Sequence, residues 1–224
     1  MSCCKRNLSG LKAADFKKSI KGNDCYAKVS FCDPKYTQSM SYKTTVSTAL
    51  DAFAHATEGF FTERCEGIHK VFAQNCIPAL YRGLKELSES ETVGCELRES
   101  LYYASVYAGL VINNCGTGFP HPLGYVLTEN YGIPHGMACA AFFAPYIDRC
   151  AEFAPEKFAD FIKMTENIDD VKKVIASLTD LNGVTIGEKA EKYALRWQSV
   201  IPRNFTASPG GLTQEEAAGI LATC

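Results

Sequence analysis

From Thr44 to the C-terminus, apolar residues recur at intervals of three and four, and the period-two alternation that marks strands is nearly absent. This pattern confines the chain to an all-α fold with several helices. Thr44 and Thr45 offer N-cap oxygens to a helix near 45–60, whose apolar face is Val46, Leu50, Phe53 and Ala54 and whose end is marked by Gly59. A second helix is predicted from Ile68 to Leu87, with Pro78 bending or breaking it. The third, over 92–114, is apolar around most of its circumference at LYYASVYAGLVI and is expected to be the central, buried helix. Gly116 and Gly118 lead into a short helix at HPLGYVLTE, and the turn NYGIP leads into a helix from His135 to Phe153 that opens beside Pro134. Further helices are predicted near 155–165, 168–180 and 186–200. The last one opens with Thr213 and Glu216, spaced as a capping box.

Residues 1–42 read differently. Six Lys/Arg fall in the first 25 positions, helical periodicity is weak, and Tyr26 to Cys32 alternates in character. These features predict a loop-rich N-terminal arm with one short strand, ending at the turn-forming pair Asp33-Pro34, followed by a helical domain over 43–224. A formal charge of −2 and a pI near 6.1 provide no basic face for nucleic acid or an anionic membrane. The longest apolar runs, Ser105–Ile112 and Met137–Ile147, fall well short of the roughly 20 residues that span a bilayer. The first dozen residues lack the apolar stretch of a secretory signal, so a cytoplasmic protein is expected. The 11 cysteines include no CxxC pair and read as reduced, mostly buried thiols.

The chemistry concentrates in the histidines, of which there are only four, at 55, 69, 121 and 135. Asp51 lies four residues before His55, a separation that puts both side chains on one helix face. Alone, such a pair is most often an exposed hydrogen-bonded contact. His121 and His135 each stand in the first turn of a helix, on either side of a tight Gly/Pro turn that can fold them toward each other. Each could instead merely cap its helix. One carboxylate with imidazoles suits Fe2+, Zn2+, Co2+ or Mn2+ and excludes a Ca2+ site built only from oxygens. His69 has no matching partner and reads as a surface residue.

The segments DAFAHATEGFF and AGLVINNCGTGFPHPLGYVLTENYGIPHGMACA, with Asp33-Pro34 ahead of them, resemble the iron-containing, group III alcohol dehydrogenases. The resemblance covers about residues 20–224 and only the C-terminal, dehydroquinate synthase-like helical part of that family. There a DAxxHAxE segment supplies an Asp and a His, and an H-x13-H segment ending in PHG supplies two more His. Carried over to this chain, the implied metal ligands are Asp51, His55, His121 and His135, with Fe2+ as the ion and Zn2+ as the alternative. Relatives that act on glycerol or make dehydroquinate use fewer His, so His55 favours the alcohol dehydrogenase branch.

The implied chemistry interconverts a small-molecule primary alcohol and an aldehyde. Hydride passes to or from NAD or NADP, while the metal acts as a Lewis acid of constant oxidation state. Where some members carry a further His, this chain has Tyr125, which is a candidate proton relay or a buried core residue. The family's Rossmann-like dinucleotide-binding domain is absent from this sequence. No GxGxxG follows a strand, and Gly116, Gly118, Gly124 and Gly210-Gly211 read as turns. The expectation is therefore a fragment that needs a missing N-terminal cofactor domain, or that assembles as a homo-oligomer. The competing expectation is a non-catalytic metal-binding helical remnant or interaction module.

Overall fold

Ser41 opens the first helix, its Oγ accepting from the Thr44 amide at 3.2 Å. The computed structural model describes residues 25–224. Residues 1–24, the larger part of the predicted arm, lie outside the described residues. Among the described residues eleven α-helices follow one another: α1 (Tyr42–Phe61), α2 (Ile68–Glu89), α3 (Cys95–Cys115), α4 (Pro120–Tyr131), α5 (His135–Ala140), α6 (Phe143–Phe153), α7 (Pro155–Thr165), α8 (Ile168–Leu178), α9 (Ala190–Val200), α10 (Pro202–Thr206) and α11 (Gln214–Ala222). Short 3-10 turns occupy Pro34–Thr37 and Gly187–Lys189. Among the described residues there is no strand, and no helix is long and apolar enough to cross a membrane.

The structure corrects several expectations. The predicted strand at Tyr26–Cys32 does not form: among the described residues no ladder partner lies alongside it, and Val29 and Phe31 stay exposed. Thr44 and Thr45 lie inside α1 rather than at its cap. The Thr45 hydroxyl donates back to Ser41 O at 2.9 Å. Helix α2 runs on through Pro78 without a break. The single helix predicted from His135 to Phe153 is two, separated at Ala141–Phe142. Pro145 accounts for the split, since it has no amide hydrogen and its ring crowds the carbonyl four residues earlier, at Ala141. Helix α10 carries no legible periodicity because it is only five residues long.

The central helix is α1 rather than α3. It packs against α2, α3, α5 and α7, and Leu50, Phe53, Ala56 and Phe60 are almost wholly removed from solvent. Each large apolar side chain so buried contributes about 1.5–3 kcal/mol. Helix α3 buries Leu101, Ala104, Ala108 and Val111 but leaves Tyr103 and Tyr107 outside. Its apolar run does not reveal which side lacks a partner.

Two backbone-to-backbone approaches bring the later helices onto α1. A Cβ on Gly136 would lie 1.7 Å from Ser47 O and 2.9 Å from Asp51 N, so only glycine allows α5 to rest on α1. A Cβ on Gly124 would lie 3.0 Å from Cys139 N, and this sets α4 against α5. Behind α4, α9 packs with Trp197 against Tyr125 at 5.0 Å between ring centroids, and Arg196 pairs with Glu129 at 2.8 Å.

Candidate metal centre

Asp51 Oδ1 is the hub of the site. It lies 3.6 Å from His55 Nε2 and 3.7 Å from the Nε2 atoms of both His121 and His135. The first contact is intrahelical, one turn along α1. The other two are tertiary: Pro120 starts α4 so that His121 falls in its first turn, and the Gly136 contact seats His135 over Asp51. The His55 and His121 rings stack at 4.7 Å, and His121 meets His135 edge-on at 5.5 Å. All four residues singled out from the sequence thus converge on one point. His69 stands apart at the start of α2, its Nδ1 3.3 Å from Arg64 O.

The atoms facing the centre are not satisfied by protein alone. Asp51 Oδ1 and His121 Nε2 are buried without a hydrogen-bond partner, and their 3.7 Å separation is too long for one. Leaving such groups unpaired costs free energy that a cation between them would recover. Ligand atoms around a tetrahedral Zn2+ with bonds of about 2.0–2.1 Å to nitrogen or oxygen stand about 3.3–3.4 Å apart. The spacings of the three Nε2 atoms from Asp51 Oδ1 exceed this by only a few tenths of an ångström. The residues therefore fit a small divalent transition metal, both in donor type and in spacing.

Two residues to which sequence spacing assigns no role belong to the site. Glu58, in the same helix as Asp51, accepts from His121 Nδ1 at 2.7 Å while 1% exposed. That contact holds the proton on Nδ1 and turns Nε2 to the centre as an acceptor, the arrangement in which a carboxylate orients a metal-binding imidazole. Cys139, one turn after His135, is the other. Its Sγ lies 3.7 and 3.8 Å from the two His135 ring nitrogens. Ligand atoms of Asp51, His121, His135 and Cys139 all fall within 4.8 Å of one another, a set that does not include His55. The HxxxC spacing on one helix face was the available signal for Cys139, and it is as legible as the DxxxH of α1.

Electrostatics follow from the crowding. Burial raises the Asp51 carboxyl, but His55, His121 and His135 outweigh it and hold Asp51 far below the usual carboxylate range. Burial lowers His121, yet Glu58 and then Asp51 outweigh it and raise the ring to about 9, so a cation entering the centre displaces a proton from Nε2 before that nitrogen can accept. Burial raises Glu58, with His121 opposing. Tyr125 stacks on His135 at 5.4 Å, and burial drives its hydroxyl far above the ordinary phenol value, which suits a ring that packs the site wall. His121 forms the closed floor, while Asp51, His55 and His135 keep partial solvent contact, so the site is open on one side.

Residues 45–192 match the Fe-containing alcohol dehydrogenase family, C-terminal domain. Similar sequences include the 4-hydroxybutyrate dehydrogenase of Clostridium kluyveri, 27% identical over 77% of this chain and 44% of its own length. The 1,3-propanediol dehydrogenase of Klebsiella pneumoniae is 33% identical over 69% of this chain and 41% of its own. Among solved structures, an iron-containing alcohol dehydrogenase from Thermotoga maritima superposes with a TM-score of 0.69 at 29% identity, over 84% of this chain and 51% of that one. The chain spans less than half the length of the two curated relatives, and the shared region is the family's C-terminal domain.

Proposed function

The chain belongs to the Fe-containing alcohol dehydrogenase family, and from that premise we propose that its helical domain, residues 43–224, is the metal-binding half of an NAD(P)-linked alcohol dehydrogenase. The observation that carries this reading is the convergence of three imidazole Nε2 atoms within 3.7 Å of one buried, unpartnered carboxylate oxygen. Asp51, His55, His121 and His135 hold an Fe2+ or Zn2+ ion. When bound, the ion supplies Lewis acidity to the oxygen of a small alcohol or aldehyde.

The chain's own residues shape what can happen there. Glu58 keeps His121 in the tautomer that presents Nε2. The partly exposed face bounded by Asp51, His55 and His135 is the side from which a substrate approaches. Tyr125 holds the His135 ring flat against the site wall, and Trp197 backs Tyr125. The nicotinamide cofactor is bound by a dinucleotide-binding part separate from this helical domain, and hydride transfer requires the two parts together.

The test is metal analysis of the purified chain, followed by reconstitution. We expect about one equivalent of Fe or Zn per chain, lost in Asp51→Ala and in His121→Ala. Unchanged metal in both variants would overturn the site assignment. Aldehyde-dependent NAD(P)H oxidation is expected near background for these residues alone. It should appear when the dinucleotide-binding half of a relative is supplied. A metal-loaded chain that stays inactive in that complex would instead favour a non-catalytic metal-binding role.

A further inference from the structure

We propose that Cys65 and Cys115 form a peroxide-reactive dithiol beside the large cleft where α1 and α3 end and α7 and α10 begin, with Cys115 attacking and Cys65 closing the disulfide. The packing of α3 on α1 brings the two sulfurs together. A Cβ on Gly59 would lie 3.6 Å from Cys115 Cβ and 3.3 Å from Gly116 O, so the last turn of α3 rests directly on α1. Past α1 the chain curls back on itself. The Thr62 amide donates to Gly59 O at 3.2 Å, and the Cys65 amide donates to Thr62 O at 3.1 Å. Lys157 fixes this curl through Thr62 O and Cys65 O. The outcome is a hydrogen bond between the Cys65 and Cys115 side chains, with the two residues 0% and 3% exposed.

The surroundings give the two thiols different parts. Cys115 lines the cleft, which encloses about 1080 Å3 and carries Arg64, Lys157 and Arg203 on its walls, so a small oxidant reaches its sulfur. The bond from Cys65, and behind it the cationic side chains of His69, Lys157 and Arg64, hold the Cys115 thiol below its ordinary value against the effect of burial. The same bond, with burial, pushes Cys65 up, so Cys65 keeps its proton while Cys115 reacts. Burial pushes Cys76 up to about 12 and Cys150 also upward, which leaves these core thiols inert. In the first step the Cys115 thiolate attacks one oxygen of hydrogen peroxide, the O–O bond breaks, and the second oxygen leaves as water with a proton from solvent. Cys115 then carries a sulfenic acid. The Cys65 sulfur attacks the Cys115 sulfur, the S–O bond breaks, and the departing hydroxide takes the Cys65 proton. Two thiols and one peroxide become one disulfide and two waters.

The test is hydrogen peroxide added to the reduced full chain, with Zn2+ supplied so that no iron reacts with the peroxide. The product is alkylated in denaturant, digested without reductant and read by tandem mass spectrometry. We expect a peptide pair joined through Cys65 and Cys115, released by dithiothreitol. In Cys65→Ser the joined pair should be absent and a dimedone probe should label Cys115 as its sulfenic acid. In Cys115→Ser neither the joined pair nor a dimedone label on Cys65 should form. Should a serine variant not fold, the alanine variant takes its place. Wild-type chain in which Cys65 and Cys115 are both still alkylated after peroxide would overturn the proposal, as would a disulfide from either one to another cysteine. Dimedone labelling of Cys65 in Cys115→Ser would overturn the assignment of Cys115 as the attacking sulfur.

Discussion

His121 donates from Nδ1 to Glu58 Oε1 at 2.7 Å and turns Nε2 toward Asp51, so one imidazole bridges a structural carboxylate and a second carboxylate that faces the candidate metal centre. This pair converts a helix-to-helix contact between α1 and α4 into a defined tautomer.

Replacing Glu58 with Gln keeps the shape and removes the charge behind His121. Metal affinity should fall by about 10–100-fold while the far-ultraviolet circular dichroism is unchanged. Competition against a chromophoric chelator measures this directly. Affinity equal to wild type would show that Glu58 does not orient the ring.

Gly136→Ala places a methyl group where Ser47 O already stands, 1.7 Å away, with backbone on both sides and no flexible side chain to yield. Helix α5 must lift from α1. The expected cost is about 3 kcal/mol or more, a fall in Tm of at least about 6 °C, with metal binding weakened as His135 moves off Asp51. Gly219→Ala in α11, where nothing lies within 4 Å of the new Cβ, is the matched control and should leave Tm unchanged or slightly higher.

Lys157 in α7 donates to Phe60 O at 3.3 Å, Thr62 O at 2.7 Å and Cys65 O at 3.3 Å, capping the C-terminal end of α1 with a cation. Lys157→Met keeps the stem and removes all three bonds. A loss of about 2 kcal/mol in urea unfolding is expected, since carbonyls at a half-buried helix end are left without a charged donor.

Lys70 and then Lys163 hold the Asp160 carboxyl down to about 2, tying α2 to α7. The folded-state pKa lies below the unfolded one. The contribution is therefore complete above about pH 4 and is lost as pH falls toward 2. The pair keeps about a third of its side-chain surface in solvent, which screens it, so its worth stays below about 1 kcal/mol. The Tm gap between wild type and Lys70→Met should be constant from pH 7 to 5 and close below about pH 3. A gap that persists at pH 2 would assign the effect to packing of the lysine stem instead.

Much of this site is legible in the sequence itself. The four-residue spacing of Asp51 and His55 dictates that they share a helix face, and the PHG turn around His135 marks a helix start whatever the rest of the chain does. Both follow from local backbone geometry, which depends only on neighbours along the chain. The same holds for the capping box at Thr213 and Glu216, which forms as spaced.

What the tertiary structure alone decided is which chemically able residues face the same point. Glu58 lies two turns from Asp51 and becomes a partner of His121 only because α4 crosses α1 there. Cys139 stands one turn after His135, a spacing legible in sequence, but that spacing does not say that its helix face turns toward Asp51 and His121. Its nearness to His121 and Asp51 arises from the Gly136 and Gly124 contacts that press α5 between α1 and α4. Helix type is set by interactions within one turn and so can be read in sequence. The choice of α1 rather than α3 as the central helix, and the convergence of Asp51, His121 and His135 from three helices, depend on packing between residues that can lie about ninety or more positions apart. No local period encodes such a distance.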